Sequence, residues 1–95
     1  MRYRWDAAKS RRNALERGLP FEVAPRIFEG PTVELIDDRF HYDEERIIAV
    51  GEVDAKVLVC VYCDSEDVRR IISLRQATRR ERDEYYRTIY GNRDP

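Results

Sequence analysis

The sequence has few residues of the types that mark membrane spans, disulfide frameworks or metal centres. It contains two cysteines, one histidine, one tryptophan and one methionine among 95 residues. No stretch approaches the roughly 18 consecutive apolar residues that a membrane-spanning helix needs. Residues 1–6 also lack the apolar segment of a secretory signal. We therefore expect a cytoplasmic protein that does not bind a membrane.

The two cysteines, Cys60 and Cys63, form a Cys-x-x-Cys pair, a spacing found in redox motifs and in half of a zinc site. Residues 57–63, however, are typical of a buried strand, in which residues three apart point to opposite faces. The chain has no second cysteine pair, and its one histidine, His41, is distant in sequence. We therefore interpret both cysteines as small core residues and expect neither a metal site nor a cofactor.

Charged residues are abundant and unevenly distributed, although the net charge is only −1. Residues 1–17 hold six Arg/Lys against two Asp/Glu, residues 18–67 hold four against thirteen, and residues 68–95 hold eight against four. The two basic ends could form one positive surface in the fold, or the charges could be dispersed over a small soluble surface. Because 95 residues leave room for only one hydrophobic core, we expect a single domain over residues 1–95.

Helix and strand signals predict an α+β fold in the order α-α-β-β-β-β-α. A first helix is expected between Asp6, a good N-cap, and Gly18, a good C-terminal stop. A short second helix is expected over residues 21–28, and the capping box Thr78-Arg79-Arg80-Glu81 starts a C-terminal helix. Short connections favour a four-stranded, mainly antiparallel sheet. Its strands are expected at residues 32–36, 45–50, 57–63 and 69–74.

Alternation along these strands sorts the side chains into two faces. One face is aliphatic and is expected to receive the helices; it holds Ile48, Val50, Val57, Val59, Val61, Ile72 and Leu74. The other face is half polar and holds Glu45, Ile47, Cys60, Tyr62, Arg69, Ile71, Ser73 and Arg75. A slip of one residue in the strand pairing would exchange the two faces.

The face or rim of the predicted sheet gathers side chains suited to metal-free RNA cleavage. That reaction needs a base for the 2′-hydroxyl proton, fixed guanidiniums for the phosphate charge and an acid for the leaving 5′-oxygen. The candidate catalytic residues are His41, Glu45, Arg46, Arg70, Arg75 and Tyr62. The candidate RNA-binding residues are Lys9, Arg12, Arg69, Arg79 and Arg80. Structural roles are also open, because strand residues can form cross-strand ion pairs and helix arginines can simply be solvated.

Five spaced segments follow one another along nearly the whole chain. They are Trp5-Asp6-x-x-Lys9 before Asn13 and Gly18, Phe21-Glu22-x-Ala24 before Phe28, His41-x-x-Glu44-Glu45-Arg46 before Gly51, Arg70-Ile71-Ile72-Ser73-x-Arg75-x-Ala77, and Arg79-Arg80-Glu81-Arg82-x-x-Tyr85. In this order and spacing they resemble the BrnT family of type II toxins, ribonucleases with a RelE-like fold. The chain departs from the family at Glu16-Arg17, where a Lys-His pair is common, so no histidine acts there.

The resemblance implies an mRNA-cleaving toxin that arrests growth and is neutralised by a BrnA-like antitoxin with a ribbon-helix-helix DNA-binding part. It implies a heterotetrameric complex that represses its own operon; a homodimer is the other assembly considered. It places the functional groups among His41, Glu45, Arg46, Arg70 and Arg75, with Lys9 nearby. The alternative is a non-catalytic regulatory module that binds nucleic acid or an antitoxin, and a weaker one is a purely structural interaction domain.

Overall fold

The computed structural model describes residues 1–39, 41 and 43–91. Its central element is a mixed five-stranded sheet. Within these residues the chain is an α+β fold with three helices and one 3-10 turn. The elements are β1 (Arg2–Arg4), α1 (Ala7–Arg17), the 3-10 turn (Phe21–Val23), α2 (Ala24–Ile27), β2 (Thr32–Ile36), β3 (Ile47–Val53), β4 (Lys56–Ser65), β5 (Val68–Gln76) and α3 (Arg79–Tyr90). In this part of the chain, no helix is long and apolar enough to cross a membrane.

Capping groups confirm the predicted bounds of α1 and the predicted start of α3, whereas the second predicted helix, over residues 21–28, is a 3-10 turn followed by the four-residue α2. The Asp6 carboxylate accepts a hydrogen bond from the backbone N–H of Lys9 at 3.0 Å, and Gly18 ends α1 in the left-handed region at φ 68°. At α3 the Thr78 hydroxyl accepts from the Glu81 N–H, and the Glu81 carboxylate accepts from the Thr78 N–H. These capping bonds form within one helical turn, so the helix ends could be predicted without knowing the tertiary structure.

The sheet has five strands, and the prediction of four was wrong because it missed β1. The strand order is β1-β5-β4-β3-β2, with β1 parallel to β5 and the other neighbours antiparallel. Tyr3 of β1 pairs with Arg69 of β5. Three residues are too few to show alternation, so β1 could not be predicted from the sequence. The strand forms by pairing with the edge of β5.

A register shift in β5 alters the predicted faces. Val61 pairs with Ser73, but the next residue of β4, Tyr62, pairs with Ile71, so Ile72 is the extra residue of a β-bulge. Beyond the bulge Leu74 pairs with Cys60. The bulge therefore reverses the predicted sides of every β5 residue that follows it.

The two sheet faces differ in what covers them. We call the face that carries Cys60, Tyr62 and Leu74 the core face, because it packs against Phe21, Ala24 and Ile27 of the 3-10 turn and α2. The opposite face, called the groove face, carries the predicted aliphatic residues of β3 and β4 and also Arg70, Ser73 and Arg75. The prediction that the aliphatic face receives the helices was therefore wrong for α2.

Helix α3 lies against β2 and the groove face. Tyr86 donates a hydrogen bond to the Glu52 carboxylate, and Tyr85 donates to the Pro31 carbonyl at 2.7 Å. Glu52 pairs with Val57, so α3 covers the end of the groove face where Val57 is buried. Farther along this face, Val59 and Val61 are also buried, and they border a hollow that α1 helps to line.

Both cysteines are buried and free, as the sequence predicted. Cys60 lies on the core face opposite Leu74, and Cys63 lies on the groove face opposite Arg70. Burial raises the pKa of both thiols, to about 12 for Cys60. Each cysteine is therefore held as a neutral thiol in the interior at physiological pH.

Candidate functional site

A positively charged groove of about 350 Å³ lies between α1 and the groove face. Its cationic residues are Lys9, Arg12, Arg17, Arg39 and Arg46, and its carboxylates are Glu16 and Asp37. The groove shares Arg39, Ser73 and other lining residues with a neighbouring hollow of about 290 Å³, which adds Arg75. A concave surface with this excess of cations attracts a polyanion such as RNA.

The position of α1 along the groove is fixed by Asn13. Its side-chain amide donates to the carbonyl of Leu19 at 2.7 Å and to the carbonyl of Leu74 in β5 at 2.9 Å. One turn earlier, the buried Ser10 hydroxyl accepts from the Phe21 N–H at 2.8 Å. These bonds hold α1 beside β5, so the cations of α1 line the groove.

Arg39 is held in the groove by a buried carboxylate. Asp37 accepts bidentate hydrogen bonds from Arg39 at 2.7 and 2.9 Å, and its side chain is 1% exposed, whereas that of Arg39 is 63% exposed. The Asp37 N–H donates to the Arg46 carbonyl at 2.8 Å, which joins this segment to the residues before β3. No functional role was predicted for Arg39, Arg17 or Asn13, because no local pattern connects them to one surface.

Arg75 is held by Glu81 at the start of α3. The Arg75 guanidinium donates to both Glu81 oxygens, at 2.7 and 2.8 Å, and this lowers the pKa of Glu81 to about 2. The same contact raises the pKa of Arg75, whereas the charge of Arg39 acts in the opposite direction. The two guanidiniums are therefore within electrostatic reach of each other across the hollow.

His41 and Glu45 lie in the acidic segment between β2 and β3. Both are exposed, and both line a shallow hollow of about 270 Å³ together with Asp37 and Glu44. Because Asp37 also lines the groove, the hollow and the groove are adjacent. Among the residues that the structure describes, no three His, Cys, Asp or Glu side chains are grouped so that they could hold a metal ion.

Arg70 lies farther along the groove face. It forms an ion pair with Glu44 and lines a hollow of about 570 Å³ with Arg4, Trp5 and Cys63. Glu44 borders this hollow and the one that contains His41. The catalytic candidates His41, Glu45, Arg46, Arg70 and Arg75 thus lie along one run of adjoining hollows.

Tyr62 and Arg69 are not brought together with this group, because they lie on the core face. Tyr62 is 4% exposed and donates to the Glu34 carboxylate, and its burial raises its pKa further above the usual value. The Arg69 guanidinium lies over the rings of Tyr62 and Phe28, at 4.0 and 4.5 Å from their centroids. It also forms a bidentate ion pair with Asp64. These contacts give both residues a structural role.

The remaining RNA-binding candidates divide between two surfaces. Lys9 and Arg12 line the groove, as described above. Arg79 and Arg80 lie on the exposed first turn of α3 and border a separate hollow with Arg87. Arg80 forms an i,i+4 ion pair with Glu84 at 3.2 Å. The α3 arginines are therefore peripheral to the groove.

Comparison with protein families supports the resemblance seen in the sequence. Residues 5–81 match the model of the family described as "Ribonuclease toxin, BrnT, of type II toxin-antitoxin system". The matched segment contains α1, the whole of β2 to β5 and the Arg75–Glu81 contact, so it includes the groove and its adjoining hollows. Comparison with curated proteins gives no match. The chain belongs to the BrnT family of ribonuclease toxins of type II toxin–antitoxin systems.

Proposed function

We propose that this chain, folded as one RelE-like domain over residues 1–95, cleaves mRNA in the groove between α1 and the sheet without using a metal ion. The observation that supports this is the cation density of the groove, which Lys9, Arg12, Arg17, Arg39 and Arg46 line against two carboxylates. Such a surface binds the RNA backbone and stabilises the extra negative charge of a pentacovalent phosphate transition state. Cleavage of mRNA would take place in the cytoplasm.

The proposed chemistry is attack of a ribose 2′-oxygen on the adjacent phosphorus. A bond forms between that oxygen and phosphorus, and the bond from phosphorus to the 5′-oxygen breaks. His41 and Glu45 share one hollow beside the groove, so one accepts the 2′-hydroxyl proton and the other donates a proton to the leaving 5′-oxygen. Arg46 of the groove and Arg75 of the neighbouring hollow of about 290 Å³ stabilise the charge on that phosphate.

Other arginines would guide the RNA along the protein. Lys9 and Arg12 contact backbone phosphates in the groove, and Arg70 contacts a phosphate near the Glu44 end of the face. Arg79 and Arg80 contact RNA only at the periphery, because they lie on α3. Tyr62 and Arg69 have no part in this proposal, because their side chains are engaged on the core face.

A toxin of this family works with an antitoxin. We propose that the partner is a BrnA-like protein with a ribbon-helix-helix DNA-binding part and that the two form a heterotetramer. An isolated toxin homodimer would be the competing assembly. Sedimentation of the co-expressed pair distinguishes these assemblies by mass.

Controlled expression in bacteria tests the proposed function. The wild-type chain should stop growth and fragment cellular mRNA, and co-expression of the neighbouring gene's product should restore growth. Arg46→Ala should permit growth because the groove loses a central cation. The matched control is Arg26→Ala, which removes an exposed arginine of α2 that pairs with Asp54 at 2.8 Å, and it should remain toxic. Intact mRNA and normal growth with soluble wild-type protein would show a non-catalytic binding module instead.

A further inference from the structure

Two guanidiniums face the same hollow, and each is fixed by its own carboxylate. Arg39 lies in the segment after β2, whereas Arg75 lies near the end of β5. Both line the hollow of about 290 Å³ at the end of the groove. Asp37 holds Arg39 through two hydrogen bonds, and Glu81 holds Arg75 through two hydrogen bonds. Two distant parts of the chain thus build the same arrangement at one hollow.

The bidentate contacts fix the plane of each guanidinium. Each contact engages two N–H donors of its arginine and so fixes the orientation of the guanidinium. Asp37 is well suited to this role because its own side chain is almost completely buried. A preformed arrangement of donors stabilises developing charge without reorganisation during the reaction.

Arg39 and Arg75 are close enough for the charge of Arg39 to act against the pKa of Arg75, although the contact with Glu81 raises that pKa overall. Asp37 and Glu81 each bind their own arginine. A phosphate between the two guanidiniums would accept hydrogen bonds from both, and the benefit would grow as negative charge accumulates on phosphorus.

We propose that Arg39 and Arg75 form a clamp for the phosphate at which RNA is cleaved, and that Asp37 and Glu81 are positioning residues for this clamp. The proposal rests on the ribonuclease function proposed above and adds to it Arg39, Asp37 and Glu81. Ser73 lines the same hollow and supplies a neutral hydroxyl beside the clamp. The ligand is a phosphodiester that gains charge in the transition state.

Single-turnover cleavage of a mixed-sequence RNA, with purified protein in excess, tests the clamp directly. Arg39→Ala should lower the cleavage rate by about 100-fold or more, as does loss of one donor to a developing oxyanion. Arg75→Ala should have a similar effect. Because one phosphate contacts both arginines, the double variant should lose much less than the product of the two single effects. Arg26→Ala, which breaks the ion pair with Asp54, is the matched control.

The Glu81→Gln variant tests whether Glu81 positions Arg75, without removing the cap of α3. Glutamine retains the capping box with Thr78, because Glu and Gln both serve at this position, but it loses the ionic contact with Arg75. The cleavage rate should fall about tenfold through misplacement of the guanidinium. Binding of a 2′-O-methyl RNA, which cannot be cleaved, should change by less than about twofold, because the cations of the groove are retained. Glu84→Gln, which removes the partner of Arg80, is the control.

The outcomes distinguish the clamp from the ribonuclease function. If the wild type cleaves RNA and folded Arg39→Ala cleaves it at a rate within about threefold of the Arg26→Ala control, the clamp is refuted and the ribonuclease function stands. Multiplicative losses in the double variant would equally refute a shared phosphate. If the wild type does not cleave RNA at all, the ribonuclease function fails and the clamp fails with it.

Discussion

Asn13 in α1 donates a hydrogen bond to the backbone carbonyl of Leu74 in β5, with 2.9 Å between the nitrogen and the oxygen. The same amide donates to the Leu19 carbonyl, so one side chain joins α1, its exit and the sheet. The bulge at Ile72 lies two residues before this carbonyl. The contact therefore aligns the cationic side of α1 with the irregular part of β5.

Removal of this amide should destabilise the fold. Asn13→Ala leaves two partly buried carbonyls without their donor, and we expect a loss of about 1–3 kcal/mol in the free energy of unfolding. Urea denaturation measures this loss. Arg11→Ala, at an exposed position of the same helix, should change the free energy by less than about 0.5 kcal/mol. Equal stability of the two variants would contradict the role given to Asn13.

Gly51 is required where β3 passes beneath α2. A Cβ atom at this position would lie 2.6 Å from Cγ2 of Ile27 and 3.2 Å from the Ile27 carbonyl oxygen. Gly51→Ala should therefore cost about 1–3 kcal/mol of stability through overpacking. Gly30→Ala is the matched control, because a Cβ there meets nothing within 4 Å. Thermal denaturation should rank Gly51→Ala well below Gly30→Ala, and the reverse order would refute this packing.

Tyr62→Phe should leave RNA cleavage unchanged. Its hydroxyl donates to Glu34 on the core face, away from the groove. Loss of this bond should lower the free energy of unfolding by about 1 kcal/mol. Cleavage and urea denaturation, measured on the same preparation, separate the two effects. A folded Tyr62→Phe protein that loses most of its cleavage activity would restore Tyr62 as a catalytic candidate.

The ion pair between Glu81 and Arg75 should contribute a pH-dependent part of the stability. Arg75 and the Thr78 N–H lower the pKa of Glu81 from 4.5 to about 2. In this pH window the unfolded chain binds more protons than the folded one, so stability falls as the pH falls. The advantage of the wild type over Glu81→Gln should therefore be complete above pH 4.5 and disappear near pH 2. Denaturation curves that differ by a constant amount across the window would contradict this.

Local signals in the sequence predicted the three helices and four antiparallel strands, but neither β1 nor the bulge that sets the faces of β5. Asp6 and the Thr78–Glu81 capping box mark helix starts through bonds within one turn, so they can be read directly. Strand β1 could not be read, because three residues show no periodicity and the strand forms only beside β5. The bulge at Ile72 is equally invisible, since it follows from how β5 fits β4 and α1.

Part of the candidate site was predicted from the sequence, and the rest depends on contacts between distant parts of the chain. Arg46 and Arg75 were identified as phosphate-binding residues, and the fold brings both to the groove face. Tyr62 was included because alternation alone cannot tell which face of a strand the helices will cover. Arg39 was not among the predicted residues, because its position depends on how the segment after β2 meets a hollow that β5 completes. The pairing of distant strands, rather than residue type, determines which of these side chains lie at the groove.

The chemistry of the RNA ends tests the central claim most directly. Purified wild-type protein should cleave RNA in the presence of EDTA and leave 2′,3′-cyclic phosphate and 5′-hydroxyl ends, because the 2′-oxygen attacks and the 5′-oxygen leaves. It should not cleave 2′-O-methyl RNA. Cleavage that requires an added divalent ion, or products with 5′-phosphate ends, would contradict a metal-independent reaction in the basic groove.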